Sequence, residues 1–276
     1  MSVYSEAAEL VRPWRFSPRA RRLSLQIGTG IVLLALWEGL VTWLTPSYVA
    51  RPSGIAKALP DVLSGKPGAL DALTGPFWTS VKLTVVAVFE GLAIGVVAGT
   101  LVGLTMGRLR DVESGLKFYV NAFFALPVIA VLPLMTLWLG YTTTARLAIV
   151  IFGAFLPVCL NVYDGVRRLP PHYVEVARTY HAHWWNVWFG IALPASLPYL
   201  LAGLRLAAGR ALVAAVVAEY LLALHGLGFY ILANSRSFHQ NESMVGVLFL
   251  ALIGVGINMS INLATRRFLP WFRRSA

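Results

Sequence analysis

Six long apolar stretches, separated by shorter polar segments, dominate the hydrophobic pattern of this 276-residue chain. A helix that crosses a bilayer needs about 20 apolar residues, because each residue adds about 1.5 Å and every backbone polar group must be paired within the helix. The pattern therefore predicts an all-α polytopic membrane protein with about six transmembrane helices. The predicted spans are residues 25–44, 79–106, 118–140, 145–166, 195–224 and 244–264.

The segments outside these spans predict a simple domain organisation. Residues 1–24 form a basic N-terminal segment, and residues 25–276 form a single transmembrane domain. Residues 45–78 are rich in Pro and Gly, which is typical of a loop, and they leave room for one surface helix. Residues 167–194 form a second long polar segment, between the fourth and fifth spans.

Composition and charge narrow the function classes. Only 13% of the residues are charged, whereas soluble domains have about a quarter, so an ordinary soluble domain is excluded. The formal charge of +11 does not indicate nucleic-acid binding, because the basic residues form short clusters between the spans. These clusters lie in one set of loops, so the positive-inside rule predicts that both termini and residues 167–194 are cytoplasmic. The clusters fall within residues 12–22, 108–117, 167–178 and 266–274.

The polar segment of residues 167–194 predicts a short helix followed by an aromatic run. Pro170 and Pro171 suit the first turn of a helix, where a missing N–H has no cost. Two interpretations remain open: a connector held at the membrane surface by its tryptophans, or a docking helix that fits a groove on a soluble partner. The docking stripe, at intervals of three or four residues, consists of Tyr173, Val176, Ala177 and Tyr180.

This segment resembles the cytoplasmic loop signature of bacterial ABC import permeases, which is E-A-A, three residues, G, nine residues, I-x-L-P. The matching positions are Glu175, Ala177, Ile191, Leu193 and Pro194. Val176 replaces the second residue of the signature, and His181 replaces its glycine.

The similarity extends from about residue 79 to the end of the chain, and it is to the nitrate, sulfonate and taurine branch of that family. Three further segments carry it: residues 125–140, "ALPVIAVLPLMTLWLG", and residues 153–169 and 197–231. The resemblance implies a type I ABC importer permease fold in the bacterial inner membrane. It also implies a second permease copy in a homodimer, two cytoplasmic ATPase subunits that bind ATP and Mg, and an extracytoplasmic solute-binding protein.

No cofactor is expected on this chain, and it is not expected to be an enzyme, since it contains no G-x-x-x-x-G-K-[ST] phosphate-binding loop. The resemblance implies that one set of loop residues transmits closure of the ATPase to the spans: Glu175, Ala177, Arg178, Tyr180 and His181. Glycine tolerates a sharp turn that histidine does not, so we expect His181 to soften the kink or to meet a wider ATPase groove.

Charged residues inside the spans suggest function, because a charge in hydrocarbon is costly. The candidates for a translocation path or an intramembrane pair, with two neighbours, are Glu90, Phe124, Pro127, Arg205, Arg210 and Glu219. Arg210 either lines the path and attracts an anion, or pairs with Glu90 at a similar depth. Arg205 is expected to be structural. Glu219 is expected near the outer end, in contact with the binding protein or in a gate.

The solute and one alternative function stay open. The resemblance favours a small anion such as a sulfonate, taurine or nitrate, although relatives in this branch also move neutral pyrimidine precursors. The alternative is a stand-alone secondary carrier or channel, which is disfavoured because no half-to-half repeat is visible. His181 and His183 have H-x-H spacing, but no H-E-x-x-H arrangement accompanies them, so no metal site is expected.

Overall fold

The computed structural model of the protein describes residues 18–44, 49–65, 68 and 70–268. These residues form helices and turns without any β-strand, which confirms the predicted all-α fold. The helices are α1 Pro18–Leu44, α2 Pro52–Leu63, α3 Asp71–Thr74, α4 Phe77–Arg108, α5 Arg110–Ala125, α6 Val128–Leu139, α7 Thr143–Arg167, α8 Pro171–Thr179, α9 Trp184–Val187, α10 Leu193–Leu222, α11 Leu227–Arg236 and α12 Gln240–Phe268. A π-helical turn at Trp188–Ala192 joins α9 to α10.

The chain divides into two compact units, residues 1–57 and residues 58–276. The helix α1 begins in the basic segment and runs without a break through residue 24 and the first predicted span. Within the first unit the Glu38 carboxylate accepts hydrogen bonds from the Ser53 backbone N–H at 3.0 Å and from its hydroxyl at 2.8 Å. Glu38 thus satisfies polar groups at the start of α2.

The core of the second unit depends on close packing between α4 and α7. Glycine recurs at every fourth position of α4, at Gly91, Gly95, Gly99, Gly103 and Gly107. A Cβ atom at Gly95 would lie 2.7 Å from the Ala154 Cβ, and one at Gly99 would lie 2.7 Å from the Phe155 carbonyl oxygen. No larger residue fits this face, and its small size lets the two backbones approach closely.

The other side of α7 packs against α10. The contact face of α10 is rich in alanine, and its alanines are fully or almost fully buried: Ala207, Ala208, Ala211, Ala214, Ala215 and Ala218. Gly203 continues this face, since a Cβ there would lie 2.9 Å from the Asn161 Cβ. The helices α4, α7 and α10 therefore form a three-helix core held by small residues.

The third predicted span differs from the structure. Residues 118–140 were predicted as one membrane helix, but α5 begins at Arg110 and is separated from α6 by a bend of 106°. The break falls at Leu126 and Pro127, whose ψ angles of 133° and 128° are extended. Proline has no N–H for the helix and disfavours the helical conformation of the preceding residue, which explains the break.

Five described helices, or six if the bent pair is one span, are long and apolar enough to cross a membrane. Several bounds differ from the predicted ones. The helix of the fifth predicted span extends back to Trp184 through the π-helical turn. The helix of the sixth predicted span begins at Gln240. The helix α11 was not predicted; it lies between the fifth and sixth spans and buries Leu227, Tyr230 and Leu232.

Candidate functional site

The helix α8 and the residue that follows it, Tyr180, present an exposed apolar face. Tyr173, Val176 and Tyr180 lie three and four positions apart, so they share one face, and their side chains are 51%, 55% and 82% exposed. Glu175 is also exposed, and its carbonyl accepts a hydrogen bond from the Thr179 hydroxyl at 3.0 Å. The exposed face formed by Tyr173, Val176 and Tyr180 is here called the α8 face.

One predicted member of the stripe is buried. Ala177 is only 8% exposed, so its inclusion in an exposed docking stripe is wrong. Ala177 lies four residues after Tyr173 and three before Tyr180, so it borders the same face, but its short side chain is buried there. The side chain of Arg178, another predicted coupling residue, lies outside the described residues.

His181 stands in a left-handed turn, with a φ of 50°. The Ala182 N–H donates to the Ala177 carbonyl at 2.9 Å, and this six-residue bond around a left-handed residue is the Schellman ending of a helix. Glycine is the usual residue at this position. The expected softening of the kink is therefore wrong, because the chain keeps the sharp turn with histidine in it. The left-handed conformation costs a residue with a Cβ about 1–2 kcal/mol.

An aromatic stack follows this turn. The rings of Trp184 and Trp185 stack at 4.2 Å between centroids, and those of Trp185 and Phe189 stack at 4.9 Å. His183 precedes the stack, and its Nδ1 accepts a hydrogen bond from the Trp185 N–H at 3.5 Å, which caps α9. All three rings are about half exposed, which suits side chains that lie at a membrane surface.

The C-terminal half of the loop contacts the helical core. Leu193 packs against the main core, and Pro194 occupies the first turn of α10, where its missing N–H is harmless. Ile191 lines a cavity of about 500 Å³ beneath the loop, together with Tyr173 and Tyr199. The signature residues Ile191, Leu193 and Pro194 therefore join the loop to α10 and leave the exposed surface to α8.

At the opposite end of the core, a buried ion pair joins α7 to α10. Arg146 Nη1 lies 3.3 Å from Glu219 Oε1, and the two side chains are 10% and 0% exposed. The same nitrogen donates to the His225 carbonyl at 3.3 Å. Sequence reasoning proposed Glu219 as a contact for the binding protein or a gate, but its carboxylate is enclosed. The pairing of Arg146 was not predicted.

Glu219 also organises the turn into α11. The Thr84 hydroxyl donates to Glu219 Oε2 at 2.8 Å, and the Gly228 N–H donates to the same oxygen at 2.9 Å. The Leu227 N–H donates to Thr84 Oγ1 at 2.8 Å. A Cβ at Gly226 would collide with the carboxyl group of Glu219, so only glycine fits at this position. One carboxylate thus ties α4, α7, α10 and α11 together.

The predicted pair of Glu90 and Arg210 is absent among the described residues. The Arg210 guanidinium lies over the Phe124 ring, 4.0 Å from its centroid, at the end of α5 next to the Pro127 bend. Glu90 is exposed, and the buried intramembrane pair is instead Arg146 with Glu219. The face of α4 explains the difference, because the adjacent Gly91 packs against α7 and carries Glu90 to the rim of that contact. Arg205 donates to the Thr265 hydroxyl at 3.5 Å.

Comparison with known proteins gives a family match over most of the chain. Residues 91–274 match the family described as "Binding-protein-dependent transport system inner membrane component". The taurine transport system permease protein TauC of Escherichia coli (strain K12) is 27% identical, over 94% of this chain and 93% of its own. The formylaminopyrimidine transport permease protein ThiX of Halalkalibacterium halodurans is 28% identical, over 88% of this chain and 94% of its own.

Solved structures give the same fold. A chain from an amino acid ABC transporter crystallised with histidines superposes with a TM-score of 0.56 at 14% identity, covering 79% of this chain and 99% of that one. A chain from the inward-facing MetNI methionine ABC transporter superposes with a TM-score of 0.50 at 19% identity, covering 67% of this chain and 93% of that one. The shared architecture is that of ABC transporter permeases.

Replacing His181 with glycine is expected to stabilise the protein. Relief of the left-handed strain contributes about 1–2 kcal/mol, and the greater freedom of glycine in the unfolded chain removes about 0.4–1 kcal/mol of it. We expect His181→Gly to raise the free energy of unfolding by about 0.5–1 kcal/mol, measured by denaturant unfolding in detergent micelles. His183→Gly, which removes the α9 cap at a residue with a φ of −60°, is the control and should not stabilise. A fall in stability for His181→Gly would contradict the assignment of strain.

Replacing Glu219 with glutamine is expected to destabilise the protein strongly. The change leaves the Arg146 charge buried without a countercharge, which costs about 3–5 kcal/mol. We expect a lower free energy of unfolding for Glu219→Gln, and a partial recovery in the double variant with Arg146→Gln, as measured in a double-mutant cycle. Glu90→Gln, at an exposed carboxylate, is the control and should change stability by less than about 0.5 kcal/mol. Additive losses in the cycle would show that the two residues do not interact.

Proposed function

Because the chain belongs to the family of inner membrane components of binding-protein-dependent transport systems, we propose that it carries a small organic anion and that α8 is its contact with an ATPase. A member of this family is a transport subunit whose ATPase is a separate partner. The alternative of a stand-alone carrier or channel gains no support from the relatives, which are permeases of ABC importers. ATP and Mg therefore belong to the partner ATPase subunits.

The α8 face carries the proposal for coupling. Large apolar side chains that stay exposed on a polar loop mark a contact surface for another protein. Tyr173, Val176 and Tyr180 project from one short helix at successive turns, which is the arrangement that fits a groove. Glu175 is exposed beside this face and is proposed as its polar rim, and Arg178 is proposed as a further coupling residue from its place in the sequence. Ala177 is the buried residue at the edge of this face, and His181 ends the helix with a sharp turn.

A second copy of the chain and the solute-binding protein are proposed as further partners, and an exposed face of α4 is the first observation that bears on them. Lys82 and Glu90 lie on one exposed face of α4 together with Val86, within an apolar helix. Charged side chains at membrane depth do not face lipid, so this face is proposed to meet a second copy of the chain or an aqueous path. We propose a homodimer with two ATPase subunits on the side of the loop, which is the cytoplasmic side together with both termini. The solute-binding protein then docks at the opposite end.

The proposal for an anionic solute depends on Arg210. The guanidinium is partly exposed and lies over an aromatic ring, which holds the side chain in place without neutralising its charge. The relatives include permeases named for taurine and for aliphatic sulfonates, and these solutes carry a sulfonate group that pairs well with arginine. We therefore place Arg210, Phe124 and Pro127 on the path, and assign Arg205 a structural role through Thr265.

Replacing Tyr180 with serine tests the contact with the ATPase. Tyr180 is the most exposed member of the α8 face, and loss of such an anchor weakens binding by about 2 kcal/mol, or roughly 30-fold. We expect Tyr180→Ser to reduce co-purification of the ATPase subunit and solute-stimulated ATP hydrolysis. Tyr141→Ser is the matched control, because Tyr141 is 72% exposed at the opposite end of α7. Full ATPase retention with Tyr180→Ser would remove α8 from the interface.

Replacing Arg210 with glutamine tests the charge of the solute. A hydrogen bond to a charged group contributes about 1.5–3 kcal/mol. We expect Arg210→Gln to lower taurine uptake by about tenfold to a hundredfold in proteoliposomes that hold the assembled transporter. Arg205→Gln, another cation of α10, is the control and should retain uptake. If neither taurine nor an alkanesulfonate enters with the wild-type protein, while a formylaminopyrimidine does, the anion proposal fails.

A further inference from the structure

A second cationic site lies away from Arg210, between the start of α5 and the end of α7. A cavity of about 950 Å³ is present there, and three of its lining residues are cations, namely Arg110, Lys117 and Arg167. Ser114 and Asn121 add a hydroxyl and an amide to the wall. The helix α5 begins at Arg110, and Asp111 and Glu113 in its first turn offset the positive end of its dipole, so the positive charge of the cavity comes from the three cations. The cavity thus offers hydrogen-bond donors together with an excess of positive charge.

The only carboxylate in the wall of this cavity lies behind the cations. The Glu113 side chain is 14% exposed, whereas Lys117 and Arg167 are 53% and 50% exposed. Glu113 Oε2 lies 3.1 Å from Arg167 Nη1, and Glu113 Oε1 lies 3.5 Å from Lys117 Nζ and accepts the Tyr163 hydroxyl hydrogen bond. One negative charge therefore fixes two cations in place, and the open side of the cluster stays positive. Arg110 has no ion pair among the described residues.

We propose that this cavity, here called the α5–α7 cavity, binds an oxyanion group, that is a phosphate, sulfate or sulfonate. Guanidinium groups bind such oxygens in pairs, and the ammonium of Lys117 supplies a further donor. The inference rests on the proposed function only in that it places this end of the core at the cytoplasmic side. Two sources can supply the group there: the headgroup of an anionic phospholipid, or a free anion of the cytoplasm.

Both sources fit the surroundings of the cavity. Basic pockets between membrane helices on the cytoplasmic side attract anionic headgroups, and Phe118 at the rim is 75% exposed, in reach of an acyl chain. A free sulfonate leaving the translocation path would meet the same donors. In either case the ligand joins α5 to Arg167, which ends α7 and leads directly into the loop that carries α8. Occupation of the cavity therefore favours the arrangement in which α5 and α7 stay together.

The test uses the full chain in nanodiscs with two arms. In the first, the nanodiscs contain phosphatidylcholine alone, and thermal unfolding is followed by tryptophan fluorescence in sodium sulfate or sodium chloride of equal ionic strength. In the second, the nanodiscs contain phosphatidylglycerol as well, and native mass spectrometry counts the lipid molecules that remain bound. The variants are Arg110→Gln and Lys117→Gln, with Arg267→Gln as the control that removes one cation of α12 outside this cavity. Unfolding in chloride reports whether each variant folds.

A specific site predicts a response that depends on Arg110 and Lys117. We expect roughly fivefold weaker binding in each cavity variant and no change in Arg267→Gln. Sulfate stabilises proteins in general, so only a sulfate-induced rise in the unfolding midpoint that is reduced in Arg110→Gln and Lys117→Gln identifies a free oxyanion. Preferential retention of phosphatidylglycerol that is reduced in the same variants identifies a lipid. The proposal is overturned if the wild-type chain responds to neither, or if Arg267→Gln behaves like Arg110→Gln. Neither arm requires an ATPase, so its failure is distinct from failure of the importer assignment.

Discussion

The close approach of α4 and α7 is the constraint on which the other contacts depend. Lipid tails are as apolar as the helices, so burial of apolar surface drives their association little, and the fit of the two surfaces must do so. The glycines at every fourth residue of α4 let it pack closely against α7. The alanines of α10 do the same on the opposite side of α7. Because every position of both faces is filled, the three helices cannot slide past one another without collisions and are expected to move as one body.

Polar contacts fix both ends of this core, but they differ in how far the central carboxylate is buried. At one end Glu219 is enclosed and joins four helices through Thr84, Arg146 and the backbone of Gly228. At the other end Glu113 holds Arg167 from outside the three-helix core and stays close to water. The loop leaves α7 beside that second contact and returns to α10 through the π-helical turn. A displacement of α8 therefore reaches two core helices directly, whereas the Glu219 end is built to stay closed.

Sequence alone predicted the features that depend on local pattern. Apolar length indicated the spans, and the polar segment from Glu175 to Pro194 indicated the loop. The sharp turn at His181 was not predicted, because histidine stands where glycine is the usual residue. The bend at Pro127 was not predictable, because Pro133, Pro157 and Pro198 lie inside helices without breaking them. The helix α11 is short, so it is identified only by its burial against other helices. Arg146 and Glu219 lie 73 residues apart, and their pairing follows from the antiparallel packing of α7 and α10.

An unpaired arginine in a transport path raises the difficulty that it should hold the anion it attracts. If Arg210 lies on the path as proposed, its contact with the Phe124 ring can prevent the anion from being held too tightly. The ring lies 4.0 Å from the guanidinium, so its attraction for the cation competes with that of a solute and holds the side chain in place when no solute is present. Phe124 is one residue from the end of α5, next to the 106° bend. A small rotation of α5 against α10 would move the ring off or onto Arg210, so the affinity for the anion would follow the position of the helix that Glu113 links to the end of α7.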